Sequence, residues 1–208
     1  MTDQRLLLSG ESWNHNNHFH KYILSLLPER VGTCLDVGCG NGFFAARLAI
    51  KAARMVALDN DITVLRQAVR LQNDNLAFLM ADFLEHPFAE ASFDVITSIA
   101  SLHHLDLLPA LTRMKMLLKP GGRLVVIGLY REVSPIDWLF SLVNILLDFL
   151  QKHLCHRHPD GLKVLNTPIR KPQRSINEIR RAAAAILPGA NLHRQFYWRY
   201  SLVWQKPF

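Results

Sequence analysis

The stretch Leu35-Asp36-Val37-Gly38-Cys39-Gly40-Asn41-Gly42-Phe43 decides the fold. An apolar run enters a turn with glycine at every second position, and a helical pattern leaves it. Glycine serves where the backbone bends sharply and must let a ligand approach without a Cβ in the way. The dinucleotide fingerprint is G-x-G-x-x-G/A, its last small residue packing helix against strand and its pyrophosphate resting on the helix N-terminus. Here Gly38 and Gly40 are followed by Gly42, and Phe43 takes the third position. Asp36 stands just before the loop. A carboxylate there repels a pyrophosphate and suits a cationic ligand.

Outward from this loop, short apolar runs alternate with helical patterns, the signature of βαβ units and a mainly parallel sheet. Strands are predicted near 33–37, 55–59, 76–80, 93–98 and 123–129, with helices at 43–51, 62–72 and 109–118 between them. Lys119-Pro120-Gly121-Gly122 breaks the last helix and forms a tight turn. Residues 136–154 form a helix whose polar positions, Asp137, Ser141, Asn144, Asp148 and Lys152, trace one narrow stripe. Such a helix is buried on most sides or covers an apolar pocket. Ser175 and Glu178 have capping-box spacing and open a helix through Leu187. Two final strands, near 191–197 and 200–206, pair as an antiparallel hairpin at a sheet edge.

At 208 residues, half of them hydrophobic, the chain fits one domain with a sizeable core. Its net charge of +7 is unevenly spread: residues 1–104 carry −3 and residues 105–208 carry +10. The basic half favours an anionic partner, whether a small acid, a phosphate, RNA or a membrane surface. Cys34, Cys39 and Cys155 lack zinc spacing, which points to a reduced, intracellular and hence cytoplasmic protein. The N-terminus has too short an apolar run for a signal peptide. The apolar stretch between Asp137 and Asp148 is too short to cross a bilayer, so a soluble protein with no membrane span is expected.

The glycine loop together with the later motifs resembles the class I S-adenosylmethionine-dependent methyltransferases, over roughly residues 31–130. Asp36, Gly38, Cys39, Gly40, Asn41 and Gly42 fall on the family's first motif. Asp59, with Asn60 after it, matches the acidic residue that binds the ribose hydroxyls. Ala81-Asp82-Phe83 matches the motif whose carboxylate contacts the adenine amino group. Phe93–Ser98 leads through Ile99 into Ser101-Leu102-His103-His104, the fourth motif, and Leu117–Leu124 matches the "L-K-P-G-G" turn before the fifth strand. The resemblance implies a Rossmann-like, doubly wound sheet of seven strands, mainly parallel with a C-terminal antiparallel hairpin and helices on both faces. It implies S-adenosyl-L-methionine as cofactor, S-adenosyl-L-homocysteine as product and no metal. It divides a single domain into an N-terminal helical cap (1–30), a cofactor-binding core (31–130), a lid and acceptor insertion (131–175) and a C-terminal helix with its hairpin (176–208).

The fourth motif lacks the Asp/Asn-Pro-Pro-aromatic signature of enzymes acting on amide or adenine nitrogens. It is similar to the small-molecule, type-11-like branch and to enzymes that methylate a modified tRNA uridine. The favoured expectation is therefore methyl transfer by in-line displacement to a small amphipathic or anionic acceptor, with oxygen favoured as the atom methylated. An RNA methyltransferase of tRNA type and a non-catalytic binder of the cofactor are the alternatives. Basic residues 170–174 argue for RNA, but no aromatics interleave with their charges.

Four histidines are candidate catalytic residues. His103 and His104 follow strand four, where a base would stand, and an imidazole titrates near neutrality. Adjacent helical residues point about 100° apart, so only one of the two is expected to face an acceptor. His15 and His18 lie in Trp13-Asn14-His15-Asn16-Asn17-His18-Phe19-His20-Lys21-Tyr22. Drawn as a straight helix, this stretch places His15 within an apolar stripe formed by Phe19, Tyr22, Ile23 and Leu26, and His18 beside Tyr22. His20 falls on the other side, so three histidines cannot form one metal site. Asn14, His15, His18 and Tyr22 are read as one edge of the cofactor–acceptor cleft. Cys155 among His153, His156 and His158 has no paired metal-ligand spacing and is read as a polar helix end.

Overall fold

The computed structural model describes residues 14–154 and 170–208. Among the described residues, seven strands form one sheet in the order β3-β2-β1-β4-β5-β7-β6. They are β1 Val31–Val37, β2 Ala52–Asp59, β3 Leu76–Met80, β4 Phe93–Ile99, β5 Leu118–Leu129, β6 Asn191–Gln195 and β7 Arg199–Gln205. The first five are parallel, while β7 runs antiparallel to both β5 and β6. The helices are α1 His20–Ser25, α2 Phe43–Ala49, α3 Ile62–Ala68, α4 Leu107–Leu117, α5 Pro135–Leu154 and α6 Ile176–Ile186. The chain moves outward from β1 to β3 and then returns to β4. Strand order thus reverses between β1 and β4, where open α/β sheets bind ligands.

Two apolar layers cover the sheet. Cys34, Val95, Val125 and Ile127 face one layer, with Phe44 and Leu48 of α2, Leu65 of α3 and Phe19 and Ile23 at the N-terminus. Leu35, Ile96, Leu124 and Val126 face the other, with Leu111 and Met114 of α4 and Ile179 and Ala183 of α6. Alternation along each strand serves two buried faces, which is why the strands read as continuous apolar runs. The capping box opens α6 as its spacing predicts: Ser175 N–H donates to Glu178 Oε2 at 2.7 Å, and Glu178 N–H donates to Ser175 Oγ at 3.4 Å.

Four sequence expectations need correction. First, the Lys119–Gly122 turn does not precede β5 but lies inside it. Phe93 pairs with Leu118 and Val95 with Arg123, so the intervening residues bulge out of the ladder. Gly121 and Gly122 bond to Lys206 across the bulge at 2.9 and 2.8 Å, which keeps those backbone groups satisfied.

Second, the N-terminal stretch is not one straight helix. The side chain of Asn14 accepts from the N–H groups of Asn16 and Asn17, both at 2.9 Å. A side chain bonding its own backbone competes with helix formation. A single 3₁₀ turn, Asn17–Phe19, then leads into α1, and His15 lies outside any helix.

Third, the final hairpin is shorter, with Phe196, Tyr197 and Trp198 as its loop. Tyr197 and Trp198 both adopt φ of 57°.

Fourth, α5 is not buried on most sides. Its polar stripe faces inward: Asp137 and Asn144 are each only 1% exposed. Its apolar arc faces outward, with Trp138, Leu142, Leu146 and Phe149 all more than half exposed. Specific bonds account for the orientation. Arg194 binds Asp137 Oδ1 through Nε at 3.1 Å and Nη2 at 2.5 Å. Trp198 Nε1–H donates to Ser141 Oγ at 2.6 Å, and Tyr197 N–H donates to Asn144 Oδ1 at 2.9 Å. The inward stripe therefore holds the left-handed backbone at the hairpin tip, a conformation that costs non-glycine residues about 1–3 kcal/mol each. Among the described residues no helix is long and apolar enough to cross a membrane.

Candidate active site

The glycine loop is pinned to the ends of β2 and β4. The N–H groups of Gly38 and Cys39 both donate to Leu58 O, at 2.8 and 2.9 Å. Gly38 has φ of 72°, and a Cβ there would lie 2.2 Å from that of Ser101, so only glycine fits. Ser101 is itself fixed by donating to Val37 O at 2.6 Å. Gly40 has φ of 54°, and a Cβ built on it meets nothing within 4 Å. Space thus opens directly above the loop.

Gly40 N–H donates to Asp59 Oδ2 at 2.8 Å, which places a carboxylate at the end of β2 beside that space. Asn60 follows it and is exposed. Asn41 Oδ1 accepts from Phe43 N–H at 3.5 Å where α2 begins, and Gly42 caps that helix in the left-handed conformation. The Cys39 thiol is buried and burial holds it well above its ordinary pKa, so it takes part as packing.

Asp36 is 2% exposed and accepts a hydrogen bond from Thr97 Oγ1 at 2.7 Å. Burial pushes its carboxyl up to about 7, against the opposing Thr97 bond. Asp82 is exposed after β3, where its Oδ1 accepts from Leu84 N–H at 2.7 Å. Phe83 differs from its neighbours: its ring is buried in the layer beneath α4, with the Arg113 guanidinium 5.7 Å away. Only its backbone is left for the cleft. Ile99 ends β4, half-buried against the first layer.

This arrangement suits a cationic cofactor with hydrogen-bonding hydroxyls. It combines open space over Gly40, the Asp59 carboxylate beside it and a buried carboxyl at Asp36 beneath the loop. A parallel sheet with such a loop at its switch point defines the nucleoside-cofactor-binding α/β enzymes. A family model described as a methyltransferase domain matches residues 35–126. The chain is 35% identical over 202 residues to an uncharacterized methyltransferase of Mycobacterium tuberculosis, covering 95% of this chain and 98% of that one. It is 36% identical over 115 residues to the 27-O-demethylrifamycin SV methyltransferase of Amycolatopsis mediterranei, covering 50% and 41% of the two chains. Its fold is similar to the crystal structure of an S-adenosylmethionine-dependent methyltransferase from Aquifex aeolicus, with a TM-score of 0.59 and 19% identity over 89% of this chain and 88% of that one. The chain belongs to the class I S-adenosylmethionine-dependent methyltransferases.

Beyond the cofactor loop lies a cleft of about 370 Å³, lined by both His103 and His104. Leu102, Leu105, Leu129 and Ile179 make it partly apolar, and Arg170 and Arg174 add cations. The two imidazoles do not diverge as the helical geometry predicts. They sit in a single 3₁₀ turn with ring centroids 4.1 Å apart, where no neighbouring turn constrains their rotamers. Burial holds His103 at about 4, reinforced by the charges of His104 and Arg199, and burial also lowers His104. Arg170 Nη1–H donates to His104 O at 3.2 Å. No described side chain of α5 lines this cleft.

His15 and His18 converge on a different partner. Both rings meet Tyr197, His15 stacked at 4.9 Å and His18 edge-on at 5.0 Å. His15 Nε2 lies 3.0 Å from Asp148 Oδ1. His20 turns away, accepting from Arg47 Nη1 at 2.9 Å under a ring contact with Phe44. Tyr22 packs partly buried against the first apolar layer. Cys155, His156 and His158 lie outside the described residues, and among those described no three metal-ligating side chains converge.

Sequence reading missed Arg199. It is 8% exposed, donates to Tyr197 O at 3.1 Å and to Asn16 Oδ1 at 2.7 Å, and its buried Nε has no partner. Among the described residues no carboxylate pairs with it, and burial lowers its pKa to about 10. The available signal was an arginine opening Arg199–Gln205, a strand whose centre is Leu202, Val203 and Trp204.

Proposed function

We propose that this methyltransferase acts on an oxygen of a small acceptor that arrives already anionic, a carboxylate being the simplest case. The observation that carries the reading is the cleft beside His103 and His104, with its apolar side chains and two arginines. Its volume suits a small molecule. Arg170 and Arg174 attract an anion, and the uncompensated buried charge of Arg199 adds a positive field from the sheet side.

When bound, the cofactor supplies a sulfonium methyl carbon. Gly38, Gly40 and Asp59 would hold it so that an acceptor oxygen in the cleft would take the methyl group, with sulfur as the leaving group. His103, held near 4, is neutral at pH 7 and a weak base. It suits an acceptor with no proton to lose, and its contribution is to orient that acceptor and exclude water. Catalysis then rests chiefly on positioning.

The buried Tyr197 is stacked on His15, and Trp198 is bonded to Ser141, so neither offers a free platform for a nucleobase. That favours a small acceptor over RNA. The test uses cofactor labelled in its methyl group, with a small-molecule extract and an RNA fraction supplied separately. Label released by mild base as volatile methanol, from the small-molecule reaction, is the expected result. Base-stable label in RNA would overturn the proposal. Cofactor binding without label in either fraction would favour the non-catalytic alternative.

A further inference from the structure

The outward face of α5 has no part in the chemistry above. From Ile136 to Leu150 nine apolar side chains are exposed. At about 100° per residue they fill a continuous half-cylinder roughly 20 Å long, with no polar side chain in it. The face cannot simply roll inward. Asp137, Ser141, Asn144 and Asp148 lie on the opposite side, bonded to Arg194, Trp198, the Tyr197 backbone and His15. Four contacts along the helix hold its apolar half displayed.

We infer that this face seats the protein on an anionic lipid surface, with α5 lying in the plane of the interface. An interfacial helix buries one apolar face at the boundary between headgroups and acyl chains, with aromatic rings near its ends. Trp138 and Phe149 occupy such positions. Protein interfaces carry about one hydrogen bond per 100–200 Å² and a polar rim. Here the polar side chains Asp137, Ser141, Asn144 and Asp148 point the other way.

Charge decides between lipid and a second copy of the chain. Residues 105–208, which contain α5, carry a net charge of +10. Two copies joined through α5 would bring two such basic halves together, whereas an anionic bilayer attracts them. The inference is independent of the acceptor, so either can fail alone.

The test is co-sedimentation of the full chain with vesicles of phosphatidylcholine alone and of equal phosphatidylcholine and phosphatidylglycerol. The double variant Leu142→Glu/Leu146→Glu runs alongside. Wild type should bind the phosphatidylglycerol vesicles at least tenfold more tightly than the neutral ones, with affinity falling as salt rises. The variant should lose at least tenfold while its circular dichroism and S-adenosylhomocysteine affinity stay unchanged. Absence of wild-type binding, equal binding by the variant, or equal binding to both vesicles would overturn the inference. So would a wild-type dimer in light scattering that the variant dissolves without any vesicle binding.

Discussion

The two halves of the sheet solve opposite problems. Around β1, β2 and β4 the polar groups gather at the strand ends and the apolar ones face two buried layers. Around β5 to β7 a long helix reverses the usual order, burying its polar stripe and showing its apolar arc. The contrast is sharpest between α6 and α5. α6 buries Ile176, Ile179 and Ala183 and is started by its capping box. α5 is oriented by hydrogen bonds and one ion pair to the hairpin. Apolar burial places the first kind of helix, and specific polar contacts place the second.

The largest expected effect breaks the second kind of placement. Asp137 and Arg194 form a pair in which Asp137 is almost wholly enclosed, and it also accepts from Ser134 and Val133. Removing one partner of a buried pair strands the other and costs about 3–5 kcal/mol. Asp137→Ala and Arg194→Ala should each lose that much in urea denaturation. The double variant should lose less than the sum, because the singles share one interaction. These bonds hold Asp137 at about 2, below its ordinary 3.8. A depressed carboxyl stabilises the fold above its unfolded pKa, and that contribution fades as pH falls from about 4 to about 2. The Asp137 variants should therefore show a shallower acid limb than wild type.

A smaller effect, on binding, tests the cofactor half. Gly38→Ala brings a Cβ against Ser101, which is anchored to Val37. The loop must shift, and S-adenosylhomocysteine affinity by calorimetry should fall about a hundredfold, equivalent to about 2.7 kcal/mol. Adding Ser101→Gly should recover part of the loss. The left-handed backbone strain of about 1 kcal/mol would remain. Full recovery would mean that the collision alone explains the glycine.

These two regions also differ in how legible they were. The positions of Gly38, Gly40, Asp59 and Asp82 were readable because a tight turn and strand-end acids leave local marks: glycine at fixed spacing and an acid at the ends of β2 and β3. The capping box of α6 was equally local. The orientation of α5 was not readable, because a one-sided polar stripe has the same period whether it faces solvent or protein. The deciding partners, Arg194, Tyr197 and Trp198, lie more than fifty residues away. The same distance hid Arg199, which among the described residues bonds Asn16 and pairs with no carboxylate. Asn14 misled the helical reading of the N-terminus for a local reason, since its side chain replaces the turn that a helix would have made.

Asp36 gives a third, smaller test within the cofactor half. Its folded pKa of about 7 lies above the ordinary 3.8. The folded state therefore holds an extra proton between these values, and stability falls as pH rises from about 4 to about 7, then levels. Asp36→Asn removes that dependence. Between pH 5 and 7 the variant should gain about 2 kcal/mol relative to wild type, with little further change above. A cationic cofactor above the loop favours the ionised carboxyl. Binding near pH 7 should therefore release a fraction of a proton, read from calorimetry in buffers of different ionisation heat. An unchanged proton count in Asp36→Asn would assign the release to another group.

The smallest expected effect returns to the two helices. Leu142 on α5 is 66% exposed and Ile179 on α6 is 3% exposed. Judged as residue types, both are core aliphatics and both changes to Glu should be ruinous. Judged by placement, Ile179→Glu buries a carboxylate without a partner and should unfold the chain or cost several kcal/mol. Leu142→Glu takes nothing out of the core, leaves the four inward bonds of α5 intact and should alter the urea midpoint by no more than about 0.5 kcal/mol. A large loss at Leu142 would mean that its face is covered in the folded monomer. The polar stripe would then be only one of two forces holding the helix, and the contrast between α5 and α6 would shrink to one of degree.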